Sequence, residues 1–290
     1  MTEFCRNGFW LGFVYAAFIL IAGCANPVRN KTTDTPPLNL AEVSNGTNQT
    51  ENPSKKTLWL ESAKADLVRF PDRFLEDSKD TFLRADNIAA LLLAGGASVA
   101  MHNTDADKNI AEHFSRHHVF HNFADESLYL IGDPPTHFAA AGLWYAISAE
   151  NQDEINKQRA LTMITALSVT GVVTTGLKAI RDNETPNDQY WAWPSGHTSS
   201  SFTVASVLDE FYGPKVGIPA YALASVVAYR MMDTGDHWGS DVVFGATLGW
   251  VVGHTIAGKH KKLEVAGFEL LPYMPTASDP AAGICLVKQF

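Results

Sequence analysis

The chain has 290 residues, 46% of them hydrophobic, enough for one sizeable core with appendages. Its formal net charge of −9 excludes a general nucleic-acid surface, so any cluster that binds phosphate must be local. The 3 cysteines, Cys5, Cys24 and Cys285, are expected to leave with a leader, carry a modification and stand alone, so no intrachain disulfide is expected.

The N-terminus reads as an export signal. Arg6 precedes an uncharged apolar run from Phe9 to Gly23, short for a membrane span, and Ile21-Ala22-Gly23-Cys24 resembles a bacterial lipobox. Residues 1–23 are therefore expected to be removed and Cys24 lipidated, and Ala25 at the next position points to the outer membrane, facing the periplasm. Residues 24–57, rich in Asn, Thr, Pro, Ser and Glu, bury too little apolar surface to order themselves and are expected to be a tether. A helical domain is expected over 58–265 and a tail over 266–290.

Apolar positions recur with helical spacing from Leu58 onward, and alternating strand-like runs are scarce. Predicted helices span 59–78, 86–101, 107–117, 136–149, 153–180, 196–212, 216–231 and 238–258, with Gly213-Pro214 closing one of them. The class is all-α. Uncharged stretches such as Ile88–Met101, Leu161–Leu177 and Val242–Gly258 contain many Thr, Ser, Gly and Ala and fall short of the ~20 apolar residues of a membrane helix. They predict buried helices of a soluble bundle, with partial membrane insertion as the other reading. His113, His117, His118 and His121 lack Cys or a carboxylate pattern beside them, and a solvated or interhelical face is expected there rather than a metal.

Chemistry concentrates between Lys178 and Asp241. Ser195 precedes Gly196 at a helix start, where unpartnered amides and the positive end of the dipole suit an anion; an ordinary helix cap is the other reading. His197 falls in the same first turn. His237 and Asp241 stand four apart, as an oriented nucleophile or a plain surface pair. Lys178 and Arg181 near one helix end serve either its carbonyls or, with Arg230, a cradle for phosphoryl oxygens.

The ordered set resembles the type 2 phosphatidic acid phosphatase family, also called the acid phosphatase and vanadium haloperoxidase superfamily. Pro194-Ser195-Gly196-His197 matches its second motif in full, and His237-Trp-Gly-Ser-Asp241 matches the end of its third. Two departures stand out. Thr185-Pro186 occupies the place of the first motif's Arg-Pro, so Arg181 is expected to substitute, and six residues instead of five separate Tyr229-Arg230 from His237, with Tyr in place of Ser.

The resemblance implies a helical bundle of that type. It also implies that His237 attacks phosphorus, Asp241 orients it and His197 protonates the leaving oxygen. Lys178, Arg230, Ser195 and Gly196 would hold the phosphoryl group, without a metal or cofactor, and vanadate would act as a phosphate mimic. The expected activity is phosphatase action on a lipid phosphate or diphosphate, or on a small soluble ester, at a membrane reached through the N-terminal lipid. Vanadium-dependent halide oxidation and a non-catalytic envelope lipoprotein are the alternatives. The sequence specifies no oligomeric state.

Overall fold

The structure is a computed structural model and describes residues 55–259, 263–265, 268–273 and 283–287, with side chains from Leu60 to Lys259. The signal, Cys24 and nearly all of the expected tether lie outside the described residues. Nine helices run through the described part: α1 (Lys55–Phe82), α2 (Ala85–Asn103), α3 (Ala106–Arg116), α4 (Asn122–Gly132), α5 (Pro134–Glu150), α6 (Glu154–Arg181), α7 (Gly196–Tyr212), α8 (Pro214–Asp233) and α9 (Gly239–Lys259). The all-α class holds for this domain.

Local chemistry sets the helix ends. Asp153 caps α6 by accepting from the Asn156 amide at 3.0 Å, and Ser195 caps α7 from the Thr198 amide at 3.3 Å. Gly213, at φ +73°, ends α7, and Pro214 opens α8 with the fixed φ that a first helical position favours. Helix α7 lies at the centre, packed by α9, α8 and α6. The core joins Met163, Leu167 and Val169 of α6 with Val207 and Leu208 of α7 and Phe244, Leu248, Val252 and Ile256 of α9.

The α7–α9 seam is backbone against backbone. A Cβ on Gly245 would lie 2.8 Å from the Ser195 carbonyl oxygen, one on Gly253 would lie 2.7 Å from Ser206 Cβ, and one on Gly249 would overlap the Ser199 carbonyl. This places the start of α7 directly beside the start of α9. Hydroxyls tie the α6–α7 seam, through Thr170–Thr203 at 2.8 Å and Thr174–Ser199 at 3.1 Å.

Three expectations change. Helix α4 was not expected from the sequence, and it supplies site residues below. The stretch beyond 262, read as domain end and tail, carries strands β1 (Leu263–Val265), β2 (Phe268–Tyr273) and β3 (Gly283–Val287), paired antiparallel in that order.

The third change concerns burial. Leu161–Leu177 and Val242–Gly258 are largely interior as expected, but Ile88–Met101 is not: Leu92 and Leu93 are 71% and 75% exposed. Helix α2 fully buries only Asn87, Ala94 and Ser98, with Leu91 partly buried against the core, while Ile88, Leu92, Leu93 and Val99 are exposed. Among the described residues one helix, α6, is long and apolar enough to cross a membrane by length and composition.

Candidate active site

The ends of four core helices meet at one place: the C-termini of α6 and α8 and the N-termini of α7 and α9. Helix α9 starts where Asp241, in its first turn, accepts from the Trp238 amide at 2.9 Å through Oδ2. This is the reciprocal half of a capping box, and it fixes the carboxylate. His237 lies just before the helix, and its Nδ1 is 3.4 Å from the same Oδ2. Both residues are buried. With Asp241 on Nδ1, the Nε2 of His237 is the nitrogen that this carboxylate leaves free.

Ser195 is fully buried and donates its amide to the Asp241 carbonyl at 3.1 Å, which joins the two helix starts. Gly196 opens α7, and a side chain there would meet only Thr174 Cγ2 at 4.0 Å, so an anion has room to approach the first-turn amides. His197 follows. Burial, then the charges of His237 and Arg230, push His197 down to about 4, with Asp236 opposing and His137 adding to the effect. The Tyr129 ring touches both His197, at 4.6 Å between centroids, and the Arg230 guanidinium, at 5.1 Å, so one aromatic side chain adjoins both groups.

Lys178 reaches back from α6 to the carbonyls of Trp191 and Ala192, the latter at 3.2 Å, and so pins the segment leading into Ser195. Burial pushes its ammonium down to about 8, against the raising influence of Asp241. Arg181 goes elsewhere. Its guanidinium lies 5.3 Å from the Trp193 ring centroid, stacked on the indole whose Nε1 donates to Ser98 of α2 at 3.0 Å. Thr185, in the place of the first motif's Arg, is buried and folds the 185–189 turn by accepting from the Gln189 amide at 2.9 Å.

Arg230 is buried between two carboxylates, Asp125 at 2.6 Å from Nε and Asp236 at Nη1, with the Tyr129 ring 5.1 Å below it. The extra residue before His237 is absorbed by a turn at Thr234-Gly235, where Gly235 takes φ +73°, and the His237 amide returns to the Met231 carbonyl at 3.0 Å. The insertion thus leaves Arg230 and His237 at one site. Asp236 within it is held by Asn187 at 2.9 Å.

Residues 171–263 match the PAP2 superfamily, a stretch that includes every motif residue from Lys178 to Asp241. The chain carries a PAP2 superfamily domain. Over 65 residues it is 35% identical to a lipid A 1-phosphatase of Porphyromonas gingivalis, and the match spans 21% of this chain and 15% of that relative's length. In fold it is similar to a transmembrane PAP2-type phosphatidylglycerolphosphate phosphatase of Bacillus subtilis, with a TM-score of 0.53 at 18% identity over 61% of this chain and 96% of that one. The LpxE structure of Aquifex aeolicus superposes with a TM-score of 0.42 at 19% identity, over 52% and 91% of the two chains.

Several neighbours of the PAP2 motifs come from α3, α4 and α5, outside the matched stretch. Asp107 of α3 is buried and accepts from the Ser240 amide at 2.9 Å and the Ser240 hydroxyl at 2.6 Å, anchoring the first turn of α9. Asp125 and Tyr129 of α4 hold Arg230, and Asp133 at the start of α5 faces His197. The one sequence signal for any of these is Asp133-Pro134-Pro135, an acidic cap before proline. Of the four-histidine group, His113 and His117 stack at 4.9 Å and His118 meets His121 edge-on at 6.5 Å. Among the described residues no group of three or more His, Cys, Asp or Glu is arranged to hold a metal ion.

Proposed function

We propose that this domain is a phosphatase that hydrolyses a lipid phosphate monoester or diphosphate through a phosphohistidine on His237. One observation carries the reading: His237, with Asp241 on its Nδ1, stands at the start of α9, which the Ser195 amide ties to the start of α7 that bears His197.

The phosphoryl oxygens take the Gly196 and His197 amides, the Ser195 hydroxyl hydrogen, the Lys178 N–H not used by the backbone, and Arg230 Nη2. Nε2 of His237 attacks phosphorus, the ester P–O bond breaks, and His197 gives its proton to the leaving oxygen. His197 then takes a proton from water, which attacks phosphorus, breaks the P–N bond and restores His237. Arg181 acts from behind, by fixing Trp193. These steps need no metal or other cofactor.

A lipid substrate fits better than a soluble ester on two grounds. The relative that matches part of the chain is described as a lipid A 1-phosphatase. Helix α2 also reaches the surroundings of the site through the Ser98–Trp193 bond, and its exposed Leu92 and Leu93, together with exposed Tyr190 and Trp191 ahead of Ser195, offer apolar surface to an acyl chain. A signal over 1–23, lipidation at Cys24, a tether over 24–57, and a place in the bacterial envelope at the periplasmic side of the outer membrane complete the reading.

The test is phosphate release by the full chain from lipid phosphates, lipid diphosphates and soluble esters, with His237→Ala as control. Release that His237→Ala abolishes, together with a base-stable, acid-labile phosphoprotein in the parent, supports the proposal. No release from any ester, or release that survives His237→Ala, overturns it.

A further inference from the structure

We propose that Asp133 is the positioning residue of His197, playing for the proton donor the part that Asp241 plays for the nucleophile. The assignment rests on the reading of His197 as general acid and base.

The Nε2 atom of His197 is buried and has no hydrogen-bond partner among the described residues. Leaving a buried N–H unpaired costs about 1–3 kcal/mol, so such an atom in a functional ring calls for a partner that engages at some stage. Asp133 Oδ1 lies 3.9 Å from it, an ion-pair distance just beyond a hydrogen bond. Asp133 occupies the N-cap position of α5 yet makes no side-chain cap to that helix; its other oxygen meets only the Thr136 hydroxyl, at 3.4 Å. A capping residue that leaves its own helix unserved and turns toward an imidazole has been placed for the imidazole.

Its backbone is fixed as well. A Cβ on the preceding Gly132 would overlap Val227 of α8, and the Gly132 carbonyl accepts from Ser200 of α7 at 3.2 Å. The α4–α5 corner is thereby clamped against the helix that carries His197. Tyr129 covers the ring itself, at 4.6 Å between centroids. With Nε2 aimed at Asp133, the ring presents Nδ1 to the ester. The charged and titratable groups around it are Asp133 and His137 of α5, Tyr129 of α4, Arg230 of α8, and Asp236 and His237 before α9.

A small ring movement on substrate binding brings Nε2–H onto Asp133, as catalytic hydrogen bonds tighten in the Michaelis complex. That bond stabilises the imidazolium that gives its proton to the leaving alkoxide. In the second half-reaction it makes Nδ1 a better base toward water.

The experiment compares kcat/KM of the full chain and its Asp133→Asn variant on an alkyl phosphate and on p-nitrophenyl phosphate, whose leaving group departs without a proton. The expected result is a loss of about tenfold or more on the alkyl ester and less than about threefold on the aryl ester. Asp133→Glu should recover part of the alkyl activity, and Asp133→Asn should cost nothing further in a His197→Ala background. Equal losses on both esters, no loss on either, or a further loss without His197 would overturn the assignment. Retained aryl turnover shows that the variant is folded. A parent chain inactive on both esters would instead overturn the phosphatase reading beneath it.

Discussion

One oxygen of Asp241 takes both the Trp238 amide and the His237 imidazole, so the same carboxylate starts a helix and orients a ring. Asp241→Asn keeps an acceptor for the amide but loses the charge that stabilises an N–H on Nδ1. We expect a folded protein whose kcat falls by about 10²- to 10⁴-fold, read from steady-state rates beside an unchanged circular dichroism spectrum. His197 carries a second expectation. Burial and the neighbouring positive charges disfavour its imidazolium and push it down to about 4, so the protonated fraction falls about tenfold for each pH unit above that value. On an alkyl phosphate, kcat/KM should therefore decline from pH 5 to 7 once the ester's own ionisation is corrected for, while p-nitrophenyl phosphate shows a shallower slope. Parallel profiles would contradict this.

At the scale of elements, the site exists because α7 and α9 start side by side, and their closeness depends on residues without side chains. Gly249→Ala would put a methyl against the Ser199 carbonyl and force the two helices apart. Overpacking of this kind costs about 1–3 kcal/mol, and a lowered melting temperature with reduced turnover is the expected outcome. Much of the element pattern was legible in the sequence. Ser195 as a cap, Gly213-Pro214 as a break and the Thr234-Gly235 turn all act locally, so their residue types suffice to place them. Helix α4 escaped notice because His121, its N-cap residue, makes no side-chain cap, and because its contacts through Asp125 and Tyr129 lie with Arg230, about a hundred residues on. Helix α2 was legible as a helix but not in its facing. Apolarity all round is compatible with either setting, and only packing shows that Ala94 and Ser98 point inward while Leu92 and Leu93 point out.

At the scale of the whole molecule, the proposed lipid substrate draws on the exposed apolar side chains of α2, the helix whose buried Ser98 bonds Trp193 near the site. The full chain carrying Leu92→Asn and Leu93→Asn should hydrolyse vesicle-borne lipid phosphate about tenfold more slowly, because two exposed apolar side chains no longer enter the lipid, while soluble p-nitrophenyl phosphate is cleaved at the parent rate. Equal rates on vesicles would remove α2 from the approach route. The sequence by itself determined the helical class, the helix start at Ser195 and the order of Lys178, His197, Arg230, His237 and Asp241, because helix periodicity, caps and motif spacing are properties of neighbouring residues. Tertiary structure alone decided that Arg181 stacks on Trp193, that Asp125 and Asp236 hold Arg230, and that Asp133 faces His197. Those partners are brought in by packing of distant segments, and no local pattern of residues encodes which distant carboxylate arrives beside a given ring.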